Sequence, residues 1–349
     1  MLSTSYTPYR LDFKFTAITS RQSMTVKDTY FIAVSDSSRP GITGIGECAL
    51  FRGLSAEDSP LYEARLRDAL RNPLDESLRA GFSSINFGIE TALLDLQNGG
   101  RHILYDTPWT DGQTSITTNG LIWMGDKHLM AQRINEKLEL GFKTLKLKIG
   151  GINFEDELSL VESIRSRFPK DILTLRLDAN GSFSPESALN NLERLARYDI
   201  HSIEQPIKAG QPERMAYICA NSPVPVALDE ELIGCTPDDI KYQLLSFIQP
   251  QYIILKPSLC GGFRHADKWI VAAESLGIGW WATSALESNI GLNAIAQWLS
   301  SKNNTLTQGL GTGNLYHNNI PSPLRLVAQD LFFDNNGTWG PMPSMQAVI

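Results

Sequence analysis

From residue 115 onward, short apolar stretches alternate with longer segments whose hydrophobic residues recur every three or four positions. The short stretches predict buried strands, and the longer segments predict amphipathic helices. The predicted strands are Ser115–Leu121, Thr144–Ile149, Leu173–Asp178, Ser202–Glu204, Val224–Asp229, Tyr252–Lys256, Ile278–Thr283 and Thr305–Leu310. Eight strands with helices between them indicate an α/β protein with a (β/α)8-type barrel.

The predicted helices have recognisable ends. One runs from Asp126 to Leu140, with Gly141 as its stop. Another begins at Ser184-Pro185, a polar N-cap followed by proline in the first helical position, and a third begins near Thr236-Pro237. These boundaries fall between the predicted strands, as the alternating order of a barrel requires.

The first part of the chain has a different pattern. Apolar and polar residues alternate over Leu11–Ala17, and two further strands are predicted at Val26–Val34 and Ile42–Cys48. A helix begins near Ser83 and ends at Gly99-Gly100. We therefore predict an α+β domain over residues 1–114 and a barrel over residues 115–314. The remaining residues, 315–349, lack the barrel pattern and are predicted to leave the barrel and pack against the N-terminal domain.

The composition narrows the environment of the protein. The 349 residues carry a net charge of -7, which argues against a nucleic-acid or anionic-membrane surface. No apolar run approaches the roughly 18 residues that span a bilayer, and Met1–Arg10 lacks the apolar core of a signal peptide. We expect a cytoplasmic protein that binds a small molecule, and the sequence leaves open whether it forms a homo-oligomer. The four cysteines form no C-x-x-C pair, so a zinc cluster is not expected.

Five predicted strands in succession end in a charged residue. In chain order these residues are Lys148, Asp178, Glu204, Asp229 and Lys256, separated by 30, 26, 25 and 27 residues. Each separation is about one βα unit, so all five side chains should meet at the C-terminal rim, where barrel enzymes keep their active sites.

Three carboxylates at one rim would repel one another without a counter-ion. Their hard oxygen ligands suit Mg²⁺, with Mn²⁺ as a substitute, and we expect Asp178, Glu204 and Asp229 to hold the ion. Lys148 and Lys256, on opposite sides of that ion, suit proton chemistry. Lys146 lies two residues from Lys148 on the same side of its strand and would influence its charge.

With these residues in place, the chain resembles the enolase superfamily, muconate-lactonising subgroup. The motifs that carry the resemblance are Gly44-Ile45-Gly46-Glu47, the helix Phe87–Leu96, Lys146-x-Lys148, Asp178-Ala179-Asn180, Glu204-Gln205-Pro206, Asp229-Glu230 and Lys256-Pro257. The resemblance implies a metal-assisted enzyme that removes a proton next to a carboxylate. It also makes Asn180 and Glu230 candidates for orienting the metal ligands. The α+β region 1–114, completed by 315–349, is by this resemblance a capping domain over the barrel.

Within the subgroup, the stretches Lys256–Gly262 and Ser284–Gly291 resemble the o-succinylbenzoate synthase family. That resemblance implies dehydration of 2-succinyl-6-hydroxy-2,4-cyclohexadiene-1-carboxylate through a metal-stabilised enediolate, in menaquinone biosynthesis. It assigns Lys148 as the base and Lys256 as the opposite cation, which stabilises the ring-delocalised intermediate. Dipeptide epimerases of the subgroup carry Asp-x-Asp after the eighth strand, whereas this chain has Gly309–Gly313.

The substrate contacts are predicted less directly. Two loops of the capping domain, Thr19–Thr25 and Leu50–Ser55, should cover the site, and each contains an arginine that could meet the succinyl carboxylate. The candidate substrate-binding residues are Arg21, Arg52, Ser284, Ser288, Gly311 and Gly313.

Three alternatives remain open. An N-succinylamino acid racemase would use the same two lysines on opposite faces of its substrate. A lactonising activity fits the ends of the seventh and eighth strands less well. A non-catalytic barrel that only binds a metal or an acidic metabolite should have lost at least one of the five rim charges, and all five are present.

Overall fold

The computed structural model describes residues 1–19 and 22–348. Its strands are β1 Leu2–Ile18, β2 Ser23–Asp36, β3 Thr43–Cys48, β4 Ile116–Thr117, β5 Gly120–Ile122, β6 Thr144–Lys148, β7 Thr174–Asp178, β8 Ser202–Glu204, β9 Val226–Leu228, β10 Tyr252–Leu255, β11 Gly279–Ala282, β12 Leu324–Val327, β13 Asp330–Phe333 and β14 Gln346–Ala347. Its α-helices are α1 Tyr62–Arg71, α2 Ser83–Gln97, α3 Lys127–Glu139, α4 Phe154–Arg165, α5 Pro185–Ala196, α6 Pro212–Asn221, α7 Asp238–Ile248, α8 Phe263–Ser275 and α9 Asn289–Ser300. Two short 3-10 helices cover Glu76–Arg79 and Glu230–Leu232.

Seven parallel strands, β5 to β11, form one sheet in chain order, with a helix after each strand. The predicted eighth strand is reduced to residues 308 and 309, which bridge the two sheet edges. Gln308 N donates to Thr117 O (2.9 Å), and Gly309 N donates to Ala282 O (2.8 Å). This short bridge closes the curled sheet, so the predicted barrel class is confirmed.

The first predicted barrel strand, Ser115–Leu121, is not one continuous strand. Its beginning, β4, pairs antiparallel with β13, whereas β5 pairs parallel with β6. Between them the chain changes partner, because Thr118 N bonds Gln329 O (2.7 Å) and Asn119 N bonds Gln308 O (2.8 Å). The sequence pattern could not distinguish this switch from a single strand, because it depends on bonds to Gln308 and Gln329, which lie far away in the chain.

Two of the predicted helix starts are confirmed by side-chain caps. The Asp126 carboxylate accepts a hydrogen bond from Leu129 N at the start of α3, and the Ser184 hydroxyl accepts one from Ser187 N at the start of α5. Such caps satisfy amide groups that have no partner within the helix. No helix in the described part of the chain combines the length and the apolarity needed to cross a membrane.

The N-terminal strands form a separate antiparallel sheet in the order β14-β1-β2-β3. Helix α2 lies against β3 so closely that a Cβ atom added at Gly46 would lie 2.1 Å from Gly88 O. Glycine is therefore required at this contact, and the close packing fixes Glu47, the next residue, at the top of the barrel.

The C-terminal tail divides between the two parts of the molecule. Tyr316 and β14 lie beside β1. Strands β12 and β13 form a three-stranded sheet with β4 at the edge of the barrel. Leu331 and Phe333 alternate on the buried face of β13 and bury that strand against the barrel core.

Candidate active site at the barrel rim

The register of the parallel sheet brings the predicted charged residues to one rim. Lys148 lies opposite Asp178 on the neighbouring strand, and Asp178 lies opposite Glu204. Asp229 directly follows β9, and Lys256 directly follows β10. All five residues therefore occupy the carboxyl ends of adjacent strands, as the spacing predicted.

The rim charges are paired with one another. Lys146 Nζ lies 2.9 Å from Asp178 Oδ2 and 2.5 Å from Glu204 Oε2, so it bridges two strands. Lys148 Nζ lies 2.9 Å from the same Asp178 oxygen, and Lys256 Nζ bonds Asp229 Oδ2. These contacts are almost entirely shielded from solvent, and the Asp178 side chain is only 1% exposed. The rim is therefore a dense network of buried charges.

The network shifts the pKa values of its charged side chains. Burial disfavours the charged form of Asp178, but the ammonium groups of Lys146, Lys148 and Lys256 outweigh burial and hold the pKa of Asp178 well below its ordinary value. Burial would likewise lower the pKa of Lys146, yet the adjacent Asp178 and Glu204 carboxylates raise it. Asp178 and Lys146 are therefore held in their charged forms.

Glu204 is the member whose charge is least compensated. Burial, together with the Asp178 and Asp229 carboxylates, raises the pKa of Glu204 well above its ordinary value. Its Oε1 atom is buried, and no group within residues 1–19 and 22–348 donates a hydrogen bond to it. In the described residues, no group of three His, Cys, Asp or Glu side chains is arranged to hold a metal ion by itself, and the rim acids contact lysine ammonium groups. An unbonded carboxylate oxygen among three buried acids is nevertheless a donor set that fits Mg²⁺.

Asn180 and Glu230 extend the network at the edge of the site. Lys148 Nζ donates to Asn180 Oδ1 (2.8 Å), and Asn180 Nδ2 donates to Glu230 Oε1 (3.0 Å). Asn180 N also donates to Asp178 Oδ1 (3.1 Å). The structure thus brings both predicted orienting residues to the rim, where they fix Lys148 as well as Asp178.

Gln205 is a site residue that the sequence analysis did not single out. It adopts a left-handed backbone conformation (φ 40°), and its buried side-chain Oε1 accepts a hydrogen bond from Asp229 N (3.2 Å). Its Nε2 donates to Ile207 O (3.0 Å). Gln205 therefore ties the ends of β8 and β9 together, and its place directly after Glu204 was the available signal.

A pocket above the rim is walled by both parts of the molecule. The charged residues Lys146, Lys148, Asp178 and Lys256 line the side of the pocket that faces the rim, and apolar side chains form much of the remaining lining. The apolar lining residues are Phe51, Leu54, Leu121, Trp123, Leu259, Ala285 and Leu286. Both predicted loops contribute, through Thr19 and Gln22 in one and residues 51, 53 and 54 in the other. The sequence located these loops but gave no signal for the apolar walls.

The structure brings only some of the predicted substrate contacts to this pocket. Ser284 and Gly311 line it. Ser288 instead caps α9 and donates its hydroxyl to Glu47, and Gly313 lines a neighbouring groove. Arg52 points to the surface, because its guanidinium pairs with Asp58 (2.7 Å) and Asp28 (3.6 Å). The remaining candidate, Arg21, lies outside the described residues.

Comparisons with known proteins agree with this geometry. A family model described as enolase C-terminal domain-like matches residues 129–342. An o-succinylbenzoate synthase of Desulfotalea psychrophila is 44% identical to this chain, over 92% of this chain and 96% of that protein.

Two solved structures share the fold. The crystal structure of MenC from Desulfotalea psychrophila LSv54 has a TM-score of 0.81 and 40% identity, and the match covers 95% of this chain and 99% of that one. A dipeptide epimerase from Enterococcus faecalis V583, complexed with Mg and the dipeptide L-Leu-L-Tyr, has a TM-score of 0.82 at 21% identity, with 97% and 98% of the two chains covered. At that identity, the second match supports the fold alone.

Proposed function

This chain belongs to the enolase C-terminal domain-like family, and we propose that it catalyses the reaction of an o-succinylbenzoate synthase. Its similarity to proteins of that name over nearly the whole chain makes it an enzyme of the lyase class. The proposed substrate is 2-succinyl-6-hydroxy-2,4-cyclohexadiene-1-carboxylate, and the products are o-succinylbenzoate and water. This reaction would place the protein in menaquinone biosynthesis.

The observation that carries the proposal is the position of two lysines on either side of three acids. Lys148 ends β6 and Lys256 follows β10, while the acids end the strands between them. A substrate whose carboxylate lies near the acids would have one lysine on each face. That arrangement suits removal of a proton from the carbon next to the carboxylate.

We assign the chemical steps to the two lysines. Lys148, in its neutral form, takes the α-proton, and the C–O bond to the ring hydroxyl then breaks. The same lysine returns the proton to the departing hydroxyl, so that water leaves and the ring becomes aromatic. Lys256 remains charged and stabilises the negative charge that spreads over the ring. Hydrogen bonds from Lys148 to Asn180 and Asp178 fix the position of its amine.

Asp178, Glu204 and Asp229 would hold a divalent cation, with Mg²⁺ as the first candidate and Mn²⁺ as a substitute. When bound, this ion supplies positive charge beside the substrate carboxylate and makes the adjacent C–H bond more acidic. The unbonded, buried Glu204 Oε1 supports this assignment.

We also propose that residues 1–114, completed by 315–349, act as a cap over the barrel of residues 115–314. Backbone bonds from Lys14 N to Leu315 O (2.9 Å) and from His317 N to Asp12 O (2.9 Å) support the link between the tail and the N-terminal sheet. The apolar walls formed by Phe51 and Leu54 would exclude water from the reacting carbon.

The test is a direct assay of the purified chain with Mg²⁺. We expect formation of o-succinylbenzoate, measured by loss of the cyclohexadiene absorbance, and we expect EDTA to abolish it until Mg²⁺ is restored. A parallel assay should follow racemisation of N-succinyl amino acids by α-proton exchange in D2O, because the same two lysines would serve a racemase. Racemisation without dehydration would overturn the proposal in favour of that alternative.

A further inference from the structure

The uncharged polar side chains that line the pocket above the rim fall into two groups. The first group already has hydrogen-bond partners within the protein and consists of Thr19, Gln22, Asn180 and Ser284. The Ser284 hydroxyl, for example, donates to Glu287 Oε2 (2.7 Å) and accepts from Leu286 N (3.0 Å). Side chains that are engaged in this way have less capacity left for a ligand.

The second group, which we call the polar wall, consists of Asn119, Thr283 and Thr312. Within residues 1–19 and 22–348, Asn119 Oδ1, Thr283 Oγ1 and Thr312 Oγ1 are buried and have no hydrogen-bond partner. Asn119 is 4% exposed, and Thr312 is 5% exposed. Buried polar groups are normally hydrogen-bonded, because an unpaired one costs free energy. A ligand in the pocket would supply the partner that the protein does not.

The polar wall lies where the barrel closes. Asn119 N donates to Gln308 O (2.8 Å), Thr283 forms a bridge with Gly309, and Thr312 follows that bridge by three residues. These residues belong to the two edges of the sheet, β5 and β11, whereas the three acids lie at the ends of β7, β8 and β9 in its middle. In a closed barrel, the polar wall is therefore across the mouth from the acids.

The surroundings of the polar wall favour an anionic ligand group. Asn119 and Thr312 also line the neighbouring groove, whose charged residues are the cations Arg133 and Lys137 and the acid Glu136, so the charge of the groove is positive on balance. Threonine hydroxyls can donate hydrogen bonds to a carboxylate. The Asn119 amide can donate as well, because no hydrogen bond to its Oδ1 from the described chain fixes which end of the amide faces the pocket.

We propose that the polar wall binds the terminal carboxylate of the succinyl arm and determines the specificity for that arm. The inference rests on the proposed function, which supplies the substrate and places its ring carboxylate near the acids. The arm then extends toward the other side of the pocket. There the apolar side chains of Phe51, Leu54 and Leu259 offer no hydrogen bond to a second carboxylate, whereas the polar wall does.

The test compares the binding of two ligands by calorimetry in the presence of Mg²⁺. One is o-succinylbenzoate, and the other is 2-butanoylbenzoate, in which a methyl group replaces the carboxylate of the arm. We expect the wild type to bind o-succinylbenzoate at least about 30-fold more tightly, because hydrogen bonds to a charged group are strong. Equal affinity for the two ligands would overturn the inference without any variant.

Substitutions in the polar wall should weaken only the ligand that carries the arm carboxylate. Thr312→Val and Asn119→Leu should each raise the Kd of o-succinylbenzoate about 10-fold and change the Kd of 2-butanoylbenzoate less than about twofold. Removal of an unpaired buried polar group should not impair folding. Thr118→Val is the matched control, because the Thr118 hydroxyl is also buried and without a partner in the described chain but lies outside the pocket lining.

An unchanged Kd for o-succinylbenzoate in both folded wall variants would also overturn the inference. Thr312→Ser keeps the hydroxyl and should bind within about threefold of the wild type, and a loss as large as that of Thr312→Val would mean that packing, not hydrogen bonding, is responsible.

The dehydration assay gives an independent readout. The arm meets the polar wall in the ground state and in the transition state alike, so Thr312→Val should raise KM about 10-fold and change kcat less than about threefold. A fall in kcat with KM unchanged would contradict a role in binding the arm. A wild type that binds o-succinylbenzoate but does not form it would instead contradict the proposed function, so the two failures are distinguishable.

Discussion

The two ends of the barrel strands hold buried charge in different ways. At the rim, the Lys146, Lys148 and Lys256 ammonium groups pair directly with carboxylates. Deeper in the barrel lies a second group, the barrel floor, which consists of Arg176, His201, Tyr252 and Trp281. Arg176 and Asp178 lie two residues apart on one strand, so a single strand contributes to both regions.

The barrel floor holds the Arg176 cation among aromatic side chains. No carboxylate of the described chain lies within ion-pair distance of Arg176. Its guanidinium carbon instead lies 3.9 Å from the centroid of a Trp281 ring, and its Nη1 donates to Thr307 O (2.7 Å). His201 stacks on Tyr252 with 5.2 Å between the ring centroids.

This difference separates the roles of the two regions. At the rim, Lys146 and Asp178 hold each other in their charged forms beside the pocket, whereas in the barrel floor a cation over an aromatic ring fills space and fixes neighbouring strands. We therefore expect rim substitutions to affect activity and floor substitutions to affect stability, which is the division common to barrel enzymes. The following predictions test that separation.

Lys148→Ala should have the largest effect on activity. Loss of a general base should lower kcat by about 10³–10⁴-fold, while the fold remains intact because Lys146 still pairs with the buried Asp178 carboxylate. The measurement is the rate of o-succinylbenzoate formation together with the circular dichroism of the purified variant. Lys143→Ala, at an exposed lysine just before the same strand, is the control, and substantial activity in Lys148→Ala would show that the base is assigned wrongly.

Glu204→Gln should have the next largest effect on activity. The loss of activity should depend on the Mg²⁺ concentration. The change removes one of three negative charges and a ligand oxygen, so we expect apparent Mg²⁺ affinity to fall by about 10–100-fold. Titrating the activity with Mg²⁺ measures this shift, and Glu193→Gln, at an exposed position on α5, is the control. An unchanged Mg²⁺ titration would contradict the assignment of Glu204 as a ligand.

The rim was the part of the molecule that the sequence could predict. Its charges end successive strands at nearly constant intervals, so Asp178, Glu204 and the two outer lysines could be placed from spacing alone. The barrel and its helix caps follow from local patterns of the same kind. The fold-level resemblance added the cap but could not place its side chains.

The remainder depends on contacts between distant segments. Arg176 has no local signal for its position over Trp281, since more than one hundred residues separate them. The same holds for Glu287, whose carboxylate accepts a hydrogen bond from the Ser258 hydroxyl, and for Arg52, which pairs with the acids Asp28 and Asp58. The predicted eighth strand is reduced to a bridge at Gln308 and Gly309, whose partners Thr118 and Thr283 come from the two edges of the sheet.

Substitutions of Arg176 test whether the barrel floor contributes to stability. Arg176→Ala should lower the free energy of unfolding by about 3 kcal/mol, because it leaves a cavity beside Trp281 and an unbonded Thr307 carbonyl. Arg176→Met keeps most of the volume and removes the buried charge, whose desolvation already lowers the arginine pKa to about 10. We expect that variant to cost less than about 1 kcal/mol.

Urea unfolding of the two Arg176 variants, with kcat measured on the same samples, tests whether barrel-floor substitutions lower stability without lowering activity. If the methionine and alanine variants were equally destabilised, the charge itself would be essential and packing would not explain the floor. If kcat fell more than about 10-fold in the folded methionine variant, the separation of roles between the two ends would fail.

The smallest predicted effect is that of His201 on the free energy of unfolding, and it is expected only at acidic pH. Burial first, and the nearby Arg176 charge second, lower the pKa of His201 to about 4. An exposed histidine in the unfolded chain titrates near 6.5, so the unfolded state binds the proton first as the pH falls. His201 therefore contributes stability above about pH 6.5 that is lost progressively as the pH falls toward 4, by about 2 kcal/mol between pH 7 and pH 5.

His201→Gln should remove this dependence, so its unfolding free energy should fall less between pH 7 and pH 5 than that of the wild type, by about 2 kcal/mol. His128→Gln, at an exposed histidine of α3, should retain the wild-type dependence. Equal acid sensitivity in wild type and His201→Gln would mean that protons bind elsewhere during unfolding. Because the rim acids also titrate, the comparison requires the difference between variants, in which their contribution cancels as long as the two regions are independent.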